Sequence, residues 1–282
     1  MKTIPKIKTL RTELDTLRAR GKSIGFVPTM GALHEGHLSL IRRCRKENDI
    51  TVISIFVNPT QFGPGEDYKS YPRPQEKDLS LAREEDVDIV FVPTVKEMYP
   101  QPHRTSIDIK EITGQLCGKT RPGHFEGVAT VVAKLFNIVS PQTAYFGQKD
   151  YQQTLVVRQL VKDLNLPLKI AVCPIIREKD GLAMSSRNKH LSPKHRREAA
   201  VLYQSLKSAK QKILTGERNV KKIIDFIRST IKNKSSGEID YVSCVNAADL
   251  KPLRKIEGKV LIAVAVGFGK ARLIDNILVQ TK

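Results

Sequence analysis

What this sequence has little of narrows it first. Only four cysteines, Cys44, Cys117, Cys173 and Cys244, are scattered over 282 residues. No C-x-x-C pair or metal-ligand spacing joins them, which argues against a disulfide framework and a structural zinc site and makes a reducing cytosol the expected compartment. Apolar runs are short. The longest, near Val260 to Val266, falls far below the roughly 20 residues of a membrane-spanning helix. The first residues mix in Lys2, Lys6, Lys8, Arg11 and Glu13 and so lack the apolar segment of a secretory leader. Acidic residues are scarce too: 29 against 48 lysines and arginines, a formal charge of +19. Sixteen of those cations lie in residues 177–234 against five acids, with much of the excess on the expected solvent faces of helices. Aromatics for base stacking are not interleaved with them, so a phosphate-bearing small substrate fits the basicity better than nucleic acid. Neither a nucleic-acid nor a membrane partner is expected.

The front half alternates short β-branched runs with longer amphipathic segments, the pattern of a parallel sheet wrapped by helices. Residues 24–27 read as the first strand and 36–48 as its helix, with Leu38, Ile41 and Cys44 on one face. Further strands are expected at 51–57, 88–92, 143–146 and 168–172, and helices at 125–139 and 151–164. After Pro174 the texture changes. A polar loop leads to Ser192-Pro193, an N-cap followed by proline at the first helical position, opening one helix to about Leu214. A helix over 220–233 and strands over 239–245, 260–266 and 272–279 close the chain. The fold class is therefore α/β, a Rossmann-like parallel-sheet domain over 1–175 with a smaller α+β domain over 176–282.

Chemistry concentrates where strands end. The order strand, tight turn, helix N-terminus over Phe26 to His37 is where an open α/β sheet binds phosphate, because the first helical turn offers unpaired N–H groups. Gly31 and Gly36 let the backbone approach a ligand. His34 and His37, three residues apart, share one helix face and can both donate to phosphoryl oxygens. The same pair lacks a third ligand at useful spacing for zinc. Asn58 and Gln61 follow the second strand as neutral amides able to orient a carboxylate without pairing away its charge. After a later strand, Lys149 can neutralise phosphate, Asp150 can cap a helix or hold a ribose hydroxyl, and Gln153 lies one turn on. Asp78 is a candidate outer carboxylate for magnesium or a solvated surface acid. Ser185, Ser186 and Arg187 offer two hydroxyls and a permanent charge for departing pyrophosphate.

Four blocks then carry a resemblance: Pro28 to His37, Phe56 to Phe62, Phe146 to Gln153 and Asp180 to Asn188. Together they resemble the pantothenate synthetase (pantoate–β-alanine ligase) family over nearly the whole chain, more specifically than the general HIGH and KMSKS pattern of related nucleotidyltransferases. The resemblance implies ATP-dependent ligation of pantoate and β-alanine through pantoyl adenylate, releasing AMP and pyrophosphate, in pantothenate and coenzyme A biosynthesis. It implies an ATP site from Met30, Gly31, Ala32, Leu33, His34, Glu35, Gly36, His37, Gly147, Gln148, Lys149, Asp150, Ile176, Met184, Ser185, Ser186 and Arg187. His37, His34, Lys149 and Arg187 would be catalytic, Gln61 and Gln153 would hold pantoate, and Gln61 would border β-alanine. Mg2+, a cytoplasmic homodimer and a C-terminal lid are implied as well. One departure is Gln148, where many members carry glutamate; Asp78 likewise stands alone where some have a run of acids. The rivals are another nucleotidyltransferase, which would need cations where Gln61 and Gln153 stand, and a nucleic-acid module resting on the charge alone.

Overall fold

The computed structural model describes residues 1–281. The chain forms two compact units: Met1–Gly114, Arg121–Gln148 and Gln153–Pro174 in the first, and Gln115–Thr120, Lys149–Gln152 and everything from Ile175 on in the second. In chain order the elements are β1 (Lys2–Ile4), α1 (Ile7–Ala19), β2 (Ile24–Thr29), α2 (Glu35–Glu47), β3 (Ile50–Ile55), α3 (Gln75–Glu84), β4 (Ile89–Phe91), the single turn α4 (Val95–Met98), α5 (Leu116–Thr120), α6 (His124–Val139), β5 (Thr143–Gly147), α7 (Tyr151–Asp163) and β6 (Lys169–Cys173). After them come α8 (Pro193–Glu198), α9 (Val201–Leu214), α10 (Val220–Lys234), β7 (Glu238–Asn246), β8 (Lys259–Phe268) and β9 (Ala271–Gln280).

The first unit is a six-stranded sheet in the order β1-β4-β3-β2-β5-β6, parallel throughout. Its central strands β2 and β3 are buried along nearly their whole length, because helices cover both faces. On one face Leu38, Ile41 and Cys44 of α2 pack with Val27, Ile53, Val90 and Tyr145. Strand neighbours such as Phe26 and Val52 point the other way, toward the face where α6 packs on β2 and α1 on α6. Phe125, Val128, Val132, Leu135 and Val139 of α6 are all buried, as their helical spacing requires. Chain order reverses beside β2: β3 and β4 build outward on one side, β5 and β6 on the other. The β2–β5 pairing stops at Phe26↔Ala144, whereas β2 pairs with β3 as far as Thr29↔Ile55. The carboxyl ends of β2 and β5 are thus unzipped at the topological switch point, the place where such sheets bind ligands. Pro28, with no N–H to give, lies beyond the last β2–β5 pair.

The second unit has an antiparallel sheet, β7-β8-β9. Val260, Ile262, Val264, Val266 and Phe268 pack against Leu202, Leu206 and Ile213 of α9 and Ile223, Ile227 and Ile231 of α10. The sheet alternates and the helices repeat every three or four residues, so one apolar face meets another.

Two expectations need correction. Ile24–Thr29 is the second strand; β1 precedes it at the sheet edge, and three residues in a charged N-terminus carry too little pattern to read. The single helix expected over 193–214 is two, α8 and α9. Ala199 and Ala200 keep right-handed helical angles, but Leu202 N–H bonds to Ala199 O three residues back, so the turn tightens there.

Candidate active site

The turn between β2 and α2 is held by side chains that do not belong to it. Gly31 and Ala32 both adopt left-handed angles, φ +80° and +50°, and for alanine that conformation is strained. Compensation comes from Asp78 on the first turn of α3. Its two carboxylate oxygens each accept one backbone N–H, from Ala32 and from Leu33, both at 2.8 Å, while Thr29 Oγ1 accepts from Gly31 N–H. A Cβ on residue 31 would come within 2.8 Å of the Asp78 carboxylate, so only glycine fits that approach. Asp78 is 1% exposed. The expected solvated or magnesium-facing acid is instead an internal brace: its oxygens are committed to amides, and no group of three or more His, Cys, Asp or Glu side chains that could hold a metal occurs among the described residues. Asp78 does not fit a magnesium site.

This braced turn delivers His34 to the N-cap of α2. His34 Nδ1 accepts from Gly36 N–H at 3.1 Å, and His37 Nδ1 accepts from His34 N–H at 3.4 Å, a reciprocal cap made by two imidazoles. An Nδ1 that accepts carries no proton, so the neutral rings hold theirs on Nε2 as N–H donors. The ring centroids lie 4.1 Å apart. Two N–H donors and a helix N-terminus therefore gather at the unzipped end of β2. Glu35 points elsewhere, paired with Arg42, and Glu85 and Glu35 together raise the pKa of that guanidinium.

Gln61 sits in a short 3-10 turn after β3, 7% exposed. Asn58 Nδ2 donates to Gln61 Oε1 at 3.2 Å, and Gln61 Nε2 donates to Met30 Sδ at 3.1 Å. The orientation of the Gln61 amide is thereby set, with its NH2 on the Met30 side. Asn58 is itself locked, since its Oδ1 accepts from the Tyr99 hydroxyl at 2.7 Å and from Thr60. The Gln61 carbonyl accepts from His124 Nδ1 at 2.7 Å; Arg121 lies 3.0 Å from His124 Nε2 and makes a two-pronged pair with Glu66. That guanidinium holds the Glu66 carboxyl below its ordinary range. Gly127 permits the approach of α6, because a Cβ there would lie 2.3 Å from Thr60 O. Sequence reasoning misses this support of Gln61 by Arg121, His124 and Glu66; the R-P-G-H run opening α6 is the available signal. A cavity of about 230 Å3, lined by Met30, Ile55, Val57, Tyr68, Arg73 and Asp78 among others, opens at the carboxyl ends of β3 and β4.

Gly147 ends β5, and Gln148 begins the 3-10 turn to Asp150. Gln153, on the first turn of α7, is half-buried in the first unit. Lys149 and Asp150 group with the second unit, where Asn276 Nδ2 donates to Lys149 O at 2.9 Å. In that unit residues 176–184 form a small hairpin: Arg177 bridges Ala183, and Met184 N–H bonds to Ile176 O at 3.0 Å. Ile176 and Met184 are thus cross-strand partners. Ser185 follows as N-cap of the 3-10 turn Ser186–His190, its hydroxyl accepting from Arg187 N–H, and Ser186 is buried. Ion pairs fasten the hairpin. Arg196 reaches Glu178 at 2.6 Å and Asp180 at 2.5 Å, which lowers the Asp180 pKa.

A parallel sheet with its switch point at β2 and a helix N-terminus capped by two histidines define the first unit as an α/β fold of the nucleotide-binding type. The family model described as pantoate-beta-alanine ligase matches residues 2–278. The chain is 56% identical over 280 residues to a pantothenate synthetase of Caldicellulosiruptor saccharolyticus, covering 99% of this chain and all of that one. It is 54% identical over 280 residues to the pantothenate synthetase of Acetivibrio thermocellus, again covering 99% of this chain and all of the relative. Among solved structures, a pantothenate synthetase from Thermus thermophilus superposes with a TM-score of 0.93 at 45% identity, over 98% of this chain and 99% of that one. The Francisella tularensis pantoate-beta-alanine ligase, solved with beta-gamma ATP and β-alanine, superposes at 0.82 and 39% identity, over 99% and 97% of the two chains. The chain belongs to the pantoate–β-alanine ligase family. Among the described residues no helix is long and apolar enough to cross a membrane.

Proposed function

We propose that this protein condenses pantoate with β-alanine at the expense of ATP, through enzyme-bound pantoyl adenylate. A pantoate carboxylate oxygen attacks the α-phosphorus, the bond to the bridging oxygen of pyrophosphate breaks, and a mixed anhydride forms. The β-alanine amine then attacks the acyl carbon, AMP leaves with the bond electrons, and the amine loses a proton. The product is pantothenate, a precursor of coenzyme A. The observation that carries this reading is the reciprocal imidazole cap of α2 at the unzipped end of β2, because charge growing on phosphoryl oxygens is best met by N–H donors already aimed and held.

In this reading ATP, arriving as its Mg2+ complex, is bound by Met30 to His37, Gly147 to Asp150, Ile176 and Met184 to Arg187. His34, His37, Lys149 and Arg187 act on the phosphates. Gln61 and Gln153 hold pantoate, and Gln61 borders β-alanine. A neutral amide orients the carboxylate without the ion pair that would blunt it as a nucleophile. Residues 176–282 serve as a smaller domain keeping water from the labile anhydride, and the working protein is a cytoplasmic homodimer. The deciding experiment is isotope exchange between labelled pyrophosphate and ATP. Exchange that requires pantoate but not β-alanine is expected; pantothenate formation with no such exchange would remove the adenylate.

A further inference from the structure

Two neighbouring polar residues stand out in the apolar strand β9. Asp275 is 2% exposed and Asn276 4% exposed, in a run otherwise made of Leu273, Ile274, Ile277, Leu278 and Val279. Burying a carboxylate and an amide is costly unless both are bonded. Burial indeed raises the Asp275 carboxyl pKa while Arg177 opposes the rise. Both are bonded, to different segments. The Asp275 oxygens take the Arg177 guanidinium at 2.6 and 2.9 Å, a two-pronged pair. Arg177 also donates to Gly181 O at 3.0 Å and lies 3.8 Å over the Tyr203 ring. It is thereby pinned at the base and turn of the hairpin that leads into Met184–Arg187. Asn276 donates to Lys149 O at 2.9 Å, and its own N–H meets Asp275 Oδ1 at 2.7 Å. Successive strand residues face opposite sides of a sheet. One strand therefore holds the serine hairpin from one face and Lys149 from the other.

We propose that Asp275 and Asn276 are positioning residues that fix Lys149 and the Ser185-Ser186-Arg187 turn at one separation, matched to the triphosphate and dispensable once pyrophosphate has left. In this proposal the pair makes no contact with substrate. It acts through backbone and guanidinium contacts within the second unit, on a strand whose ladder to β8 runs unbroken from Lys259↔Gln280 to Phe268↔Ala271. A rigid bar of this kind limits the spread of Lys149–serine distances, and misplacement on the ångström scale in such sites costs on the order of a hundredfold.

The inference rests on the adenylation reading, and its test separates the two. Asn276→Ala, Asn276→Asp and Asp275→Asn are compared with the parent in two assays: pantoate-dependent pyrophosphate–ATP exchange, and pantothenate formation from supplied pantoyl adenylate and β-alanine. The Asn276 variants leave the Arg177 pair intact, which keeps the test open if Asp275→Asn, weakening that pair, folds poorly. For the Asn276 variants the ATP KM in exchange is expected to rise about tenfold or more, with aminolysis of supplied adenylate within about twofold of the parent. Equal losses in both half-reactions, or no loss in either, would overturn the positioning role. A parent enzyme that makes pantothenate without exchange would instead overturn the adenylation reading, and the clamp with it.

Discussion

Two segments with the same proposed task are held by opposite means. The Met30–His37 turn is fastened through its backbone: Asp78 and Thr29 accept its N–H groups, and the histidines cap the helix they begin. The 176–187 hairpin is fastened through side-chain ion pairs, Arg177 with Asp275 and Arg196 with Glu178 and Asp180. A backbone brace sealed from water is indifferent to salt and moves little. The Arg196 pairs are partly exposed, hence screened and worth less, whereas the Arg177–Asp275 pair is buried. The first segment is thus held by amides alone, the second by one buried ion pair at its base and by outer pairs that answer to salt.

The largest expected effect tests the fixed side. Asp78→Ala leaves two buried N–H groups without their acceptor and removes the support of Ala32 at positive φ. Unfolding should become easier by about 3 kcal/mol, measured by urea denaturation; an unchanged midpoint would show that the turn holds itself. Next, His37→Ala removes one aimed donor and half of the cap, and pantoate-dependent exchange should fall about a hundredfold. Undiminished exchange would take His37 out of the chemistry. The smallest effect falls on the charged side. Arg196→Ala should cost only about 0.5–1 kcal/mol, since its partners are partly exposed, and should raise the ATP KM more at low than at high salt. The acid limb sharpens this last contrast. The folded Asp180 pKa lies below its ordinary 3.8, so its contribution is complete above that value and fades as pH falls through the lowered one. Parent and Arg196→Ala midpoints should therefore converge in strong acid and separate above it. Convergence at neutral pH would mean that the ion pair is idle.

How much of this is legible in the sequence differs between the regions. The parallel sheet, α2 and α6 can be read because Leu38-Ile41-Cys44 and Phe125-Val128-Val132-Leu135-Val139 repeat at helical spacing beside β-branched runs. The N-terminal β1 cannot, since three edge residues carry too little pattern; α1 is absent from the expected elements although Ile7, Leu10, Leu14 and Leu17 repeat at helical spacing among its charges. Helix α8 reads as continuous with α9 because Ala199 and Ala200 favour helix and no glycine or proline marks the break. His34 and His37 can be placed on one helix face from spacing, but their use as each other's cap depends on which ring nitrogen meets which N–H. Asp78 reads as a surface or magnesium-facing acid because its partners lie 45 and 46 residues upstream, and Asp275 gives no signal because Arg177 is 98 residues away.

By itself the order of residues determined the alternation of strands and helices, the strand-turn-helix that carries the histidines, and the neutral amides after β3. Those follow from local geometry, in which spacing of three or four residues, or of two, decides what shares a face. Only folding decided that Asp78 braces a strained turn, that Lys149–Gln152 groups with the second unit while its chain neighbours stay with the first, and that two adjacent residues of β9 hold separate phosphate-binding candidates. Such roles are assigned by partners distant in the chain, and a buried polar group takes its meaning from whatever satisfies it.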